Sequence, residues 1–121
     1  MVSVLIDTNI LIDYLNGIKQ AKTELDRYSD KAISLITWME VMVGATPETE
    51  GIMRSFLSGF VNLSVDERVA DVAVALRKQH KIKLPDAIVW ATAQVNKRLL
   101  VTRNTKDFLP DEPGIRIPYH I

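Results

Sequence analysis

Short apolar runs alternating with stretches of helical spacing constrain this chain more than any other feature. Val2–Ile6, Ala32–Leu35, Phe60–Leu63 and Leu99–Thr102 read as buried strands. Ile115–Ile117 reads as a fifth, and the prolines on both sides place it at a sheet edge. Between them a helix opens at Thr8 and stops at Asn16-Gly17, and a second runs from Ile18 to Tyr28. Thr37 and Glu40 have the spacing of a capping box, which predicts a helix to Thr46, and Pro47 suits the first position of the next. Ser64 and Glu67 repeat the box ahead of the stripe Val65, Val69, Val72, Ala73 and Leu76. Leu84-Pro85-Asp86 opens a last helix to Asn96. Strands alternating with helices predict an α/β fold, three layers (α/β/α) around a short, mainly parallel sheet. At 121 residues, with no repeat, linker or low-complexity stretch, residues 1–121 are expected to form a single domain.

Composition narrows the chemistry. With no cysteine and only His80 and His120, thiolate chemistry, Cys-based metal centres and histidine-rich metal sites are excluded. The N-terminus lacks the basic region of a signal peptide, and no apolar run approaches the ~20 residues of a membrane span, so a cytoplasmic protein is expected. Basic and acidic residues balance at 15 each, yet they are not evenly spread. Residues 77–106 hold 8 basic side chains and one acid, Asp86, whereas residues 1–76 hold 6 basic and 11 acidic ones. Such a block suits contact with a phosphate backbone, through Lys81, Lys83, Arg103 and Lys106 among others; it also suits a solvated helix end.

In an open parallel sheet, function gathers outside the carboxyl ends of the strands. Asp7 directly follows the first strand, and Asn104 and Asp107 follow the fourth. Glu40 and Asp86 lie in the first turns of helices expected to start at that edge. Topology therefore directs four acids from distant segments toward one place. Crowded carboxylates repel, and a hard divalent cation relieves them; an all-oxygen donor set suits Mg²⁺ or Mn²⁺ rather than Zn²⁺. The natural reaction is metal-assisted hydrolysis of a phosphodiester. Taken singly, each acid has another reading: Asp7 and Glu40 as helix caps, Asp86 as a favourable N-terminal charge, Asp107 and Asn104 as turn residues.

The ordered set Asp7-Thr8-Asn9, Thr-x-x-Glu ending at Glu40, Asp86-Ala87 and Thr102-Arg103-Asn104-Thr105-Lys106-Asp107-Phe108 resembles PIN-domain ribonucleases, and most nearly the VapC-type toxins of toxin–antitoxin pairs. The resemblance implies a PIN-like fold, a pocket of Asp7, Glu40, Asp86 and Asp107 holding Mg²⁺ or Mn²⁺, and endonucleolytic cleavage of RNA. It implies that Thr8, Thr102 and Asn104 orient carboxylates or water. It also implies a homodimer held in check by a cognate antitoxin protein. Two rivals remain. A phosphatase with Asp7 as nucleophile would want an acid two positions on, where Asn9 stands. A non-catalytic module binding RNA or a partner on the same fold would leave the acids unused.

Overall fold

The computed structural model describes residues 2–121. Its elements run β1 (Ser3–Ile6), α1 (Thr8–Leu15), α2 (Lys19–Asp26), β2 (Asp30–Ser34), α3 (Leu35–Val43), α4 (Glu50–Leu57), β3 (Val61–Leu63), α5 (Glu67–His80), α6 (Leu84–Val95), β4 (Leu99–Val101) and β5 (Ile115–Arg116). The strands form one sheet in the order β3-β2-β1-β4-β5, and every recorded pairing is parallel. β5 takes the edge, where its flanking prolines leave no sheet hydrogen bond unmade.

Strand alternation divides the core in two, because successive side chains leave a strand on opposite faces. Val4 and Ile6 point to the face covered by α1–α4, joining Ile10, Leu11, Leu25, Val41 and Leu57. Leu5 points to the other face, joining Val69, Ala73, Leu76, Trp90 and Phe108 under α5 and α6. This is the three-layer α/β/α arrangement expected from the sequence. Among the described residues no helix is long and apolar enough to cross a membrane.

Three helix starts differ from the sequence reading. α3 begins directly at the end of β2: Ser34 is the cap, its Oγ accepting from the Ile36 N–H at 3.3 Å. Thr37 therefore lies inside the first turn, fully buried, and Glu40 one turn further on, so the two form no capping box. At α5 the cap is Asp66, which accepts from the Val69 N–H at 2.9 Å, rather than Ser64. Pro47 falls in the turn before α4, whose cap is Thr49. Ser34 and Asp66 have the extended backbone and the accepting oxygen that a cap requires, which sequence spacing alone did not discriminate, whereas Thr49 has a helical backbone and spends its hydroxyl on Thr46.

The C-terminal segment is tied back by a buried acid. Glu24 on α2 accepts from Arg116 through both oxygens, at 2.7 and 3.0 Å, and from the Tyr28 hydroxyl at 2.6 Å. Burial pushes the Glu24 carboxyl up, but the Arg116 and Tyr28 hydrogen bonds outweigh it and hold it below the usual range. Glu24→Ala removes the partner of the one-third-exposed Arg116 and is expected to cost about 2–3 kcal/mol in urea unfolding at pH 7. Because the folded value is depressed, this contribution is present above the ordinary carboxylate range and is lost as pH falls through the folded value.

Candidate metal centre

Strand order reverses at β1, where β2 and β3 build outward on one side and β4 and β5 on the other. Clefts at such a reversal, outside the carboxyl ends of the strands, are where open α/β sheets place ligands. Asp7 and Thr102, the residues that follow β1 and β4, stand side by side there. The Asp7 N–H donates to the Val101 carbonyl at 2.9 Å, which continues the sheet one step past β1.

Asp7 is held by three donors. It caps α1 through Oδ1, which accepts the Thr8 N–H at 2.7 Å. Oδ2 accepts the Thr102 hydroxyl at 2.8 Å and the Asn9 Nδ2 at 3.3 Å. Its carboxyl is raised above the usual range: burial dominates, the hydrogen bonds from Thr102, Thr8 and Asn9 oppose it, and the charge of Glu40 adds to it. Thr102 is fully specified, since its Oγ1 accepts from Asn9 Nδ2 and from the Asn104 N–H, both at 3.1 Å. With both lone pairs taken, its one proton goes to Asp7.

Glu40 reaches the same edge from α3. Its Oε1 accepts the Thr8 hydroxyl at 2.7 Å, and Thr8 is also in hydroxyl–hydroxyl contact with buried Thr37 at 3.0 Å. Thr8 thus links the α1 start to α3, and the Glu40 charge is exposed at the cleft rather than spent on a helix end.

On the far side, Asn104 and Asp107 form one hydrogen-bonded turn. Asn104 Oδ1 accepts the N–H groups of Lys106 and Asp107, both at 3.1 Å, while its Nδ2 donates to Asp107 Oδ2 at 3.0 Å. Phe108, 1% exposed, anchors the turn by packing edge-on against Trp90. Asp86, the third residue of α6, faces this turn. Its carboxyl is pushed up to about 6, first by burial, then by the charge of Asp7, by a hydrogen bond and the charge of Asp107, and by the charge of Glu40. The fold thus brings Asp7, Glu40 and Asp107 each within electrostatic reach of Asp86.

Elsewhere the fold neutralises its buried acids: Glu24 pairs with Arg116 and Asp13 with Arg103. None of the ion pairs among the described residues involves Asp7, Glu40, Asp86 or Asp107. Nor, among the described residues, do three or more acids or histidines close into a ready-made metal cage. The donors are all hard oxygens, a set that fits a hard divalent cation rather than a soft one.

The basic block of residues 77–106 is not one surface. Arg98 lies at the amino ends of the strands, donating to the Val4 carbonyl at 3.2 Å and to Asp30 at 2.8 Å. The Arg103 guanidinium is engaged by Asp13. Lys81, Lys83 and Lys106 are exposed. Lys81 ends α5 in a left-handed conformation (φ 57°), and Ile82 beside it is buried with its carbonyl held by Arg77 at 2.7 Å. The two lysines therefore flank a pinned residue just ahead of Asp86. The sequence motifs include Asn9 and Thr37 without assigning them these contacts, and nothing in the sequence marks Asp13 or Tyr119, whose side chains meet across 106 positions.

The family model described as PIN domain matches residues 4–109. No curated protein matches the chain. Among solved structures, a chain of a toxin–antitoxin complex from Klebsiella pneumoniae is similar at TM-score 0.94 and 50% identity, covering 98% of this chain and 100% of that one. A chain of FitAB bound to an IR36 DNA fragment is similar at TM-score 0.84 and 25% identity, over 98% of this chain and 96% of that one. DNA-bound VapBC from Salmonella typhimurium shares the fold, at TM-score 0.79 and 24% identity over 97% of each chain.

Proposed function

We propose that this chain, which belongs to the PIN-domain family, is a divalent-metal-dependent endoribonuclease, one domain over residues 1–121, and the toxin of a toxin–antitoxin pair. The observation that carries the reading is convergence: Asp7, Glu40 and Asp107, from three separate segments, all act on the Asp86 carboxyl, and among the described residues none of the four is in an ion pair. Asp7, Asp86, Glu40 and Asp107 would hold Mg²⁺, with Mn²⁺ as a substitute. Bound there, the ion supplies Lewis acidity, activating water and offsetting charge on phosphoryl oxygens.

The chain's own residues prepare that step. Thr102 and the Thr8 N–H fix both oxygens of Asp7, and the Thr8 hydroxyl orients Glu40. Asn104 holds Asp107 toward Asp86. Ligands must be deprotonated, so a carboxyl at Asp86 with a value of about 6 gives up any proton it retains when a cation arrives. RNA cleavage by the purified protein is expected to stop in EDTA and return with Mg²⁺ or Mn²⁺; undiminished cleavage in EDTA would contradict the metal assignment.

Lys81, Lys83 and Lys106 are the expected contacts to the RNA backbone. Replacing Lys81 and Lys83 together with alanine is expected to weaken binding to all RNA sequences alike and to flatten the log–log salt dependence by up to about two. An unchanged slope would return both lysines to solvent. The likeness to a chain of a Klebsiella pneumoniae toxin–antitoxin complex supports a cognate antitoxin as partner; a homodimer acting in the cytoplasm completes the proposal.

A further inference from the structure

We propose that Asp13, Arg103 and Tyr119 are positioning residues: a brace from the C-terminal segment that sets Asn9 and, through it, the Asp7–Thr102 pair. The inference rests on the endoribonuclease reading for its catalytic consequence, but its geometry stands apart from it. Asp13, on α1 and 4% exposed, accepts the Arg103 guanidinium through both oxygens, with Nη2 at 2.9 Å. One of those oxygens also accepts the Tyr119 hydroxyl at 2.8 Å.

Arg103 directly follows Thr102, so fixing its side chain fixes the path of the chain as it leaves β4. Its backbone N–H then donates to Asn9 Oδ1 at 3.2 Å. That bond decides which way the Asn9 amide faces, because its oxygen is turned to Arg103 and its NH₂ group must point the other way. The NH₂ group donates to Asp7 Oδ2 at 3.3 Å and to Thr102 Oγ1 at 3.1 Å. Asp7 and Thr102 are held in turn at 2.8 Å. A run of hydrogen bonds thus connects Tyr119, two residues before the C-terminal Ile121, to the most buried acid of the cleft. Asp13 lies about one and two-thirds turns along α1 from Asp7, so the brace closes on the helix that Asp7 itself caps.

The sequence alone suggested Arg103 as a contact to RNA phosphate, and the two roles part experimentally. Arg103→Lys keeps the charge but loses the two-pronged geometry that Asp13 needs. Tyr119→Phe removes only the hydroxyl and leaves the ring. Two quantities are read for each variant: the NMR signals of the Asn9 side-chain NH₂ in metal-free protein, and the steady-state cleavage of a labelled mixed-sequence RNA with Mg²⁺. In Arg103→Lys the Asn9 signals are expected to shift, and kcat to fall about 10–100-fold, the usual scale for groups that orient metal ligands. KM and the salt slope stay within two-fold of wild type. Tyr119→Phe is expected to move both readouts the same way by a smaller amount. Unmoved Asn9 signals in both variants, or a raised KM with unchanged kcat, overturns the brace. If wild-type protein cleaves no RNA, the endoribonuclease reading fails alone, and the Asn9 signals still decide whether the brace exists.

Discussion

Replacing Asp86 with Asn is expected to abolish RNA cleavage while raising the melting temperature of the metal-free protein. A substitution that merely damaged the fold would lower both. The cause of the opposite signs is the same carboxyl. Its value in the folded protein is about 6 against the usual 3.8, so the ionised form is disfavoured by folding. At one pH unit per 1.36 kcal/mol the full difference would be about 3 kcal/mol, and because Asp86 is only half-buried, solvent screening reduces it to about 1–2 kcal/mol. For a chain of this size that corresponds to roughly 3–8 °C in Tm at neutral pH. The pH dependence follows from the sign. A raised folded value means the folded state binds the proton more tightly, so wild-type stability falls as pH rises from about 4 to about 6. In Asp86→Asn that decline is expected to flatten. The cleavage loss should be at least about 10³-fold, the scale of removing one preorganised charge-stabilising group. Calorimetry in EDTA and a cleavage assay at saturating Mg²⁺ check the two halves; a lowered Tm with wild-type turnover would remove Asp86 from the centre.

Glu40→Gln is expected to lower cleavage by about 10²-fold or more with Tm nearly unchanged. Glu40 is the sixth residue of α3, and Ser34 supplies the cap, so no helix end depends on its side chain. Gln retains an oxygen for the Thr8 hydroxyl that Glu40 accepts at 2.7 Å. What Gln lacks is the charge, and the variant isolates that loss. Glu40→Ala removes the hydrogen bond as well, which at an exposed site adds at most about 1 kcal/mol. Turnover by Glu40→Gln within a few-fold of wild type would reduce the working acids to three.

The sequence pattern was legible where it is local. Val4-Leu5-Ile6 announces a strand buried on both faces, and Asp7 ends it because the chain turns there into α1. The chain direction imposed by a parallel sheet was enough to bring Asp7, Asp86 and Asp107 to one edge on paper. Glu40 reaches that edge because α3 does start where β2 ends, but it sits one turn further along than its spacing suggests: Thr37-x-x-Glu40 imitates a capping box, and Ser34, the last residue of β2, is the cap. The Thr37 hydroxyl was free to meet Thr8 instead. The long-range bonds were invisible, since neither Asn9–Arg103 nor Asp13–Tyr119 has any spacing to read. The basic block was misleading for the same reason. Arg98 and Arg103 are neighbours of the lysines in sequence, but carboxylates from β2 and α1 claim them.

On the proposed reading, the four acids of the β1–β4 cleft hold a divalent cation. It is tested most directly by titrating Mn²⁺ into isotope-labelled protein and mapping paramagnetic line broadening. Broadening is expected to centre on the amides of Asp7, Glu40, Asp86 and residues 102–107, and to be lost from all of them together in Asp86→Asn. Broadening centred on other surface acids, such as Glu48 and Glu50 or Asp111 and Glu112, with the cleft untouched at millimolar Mn²⁺, would contradict it.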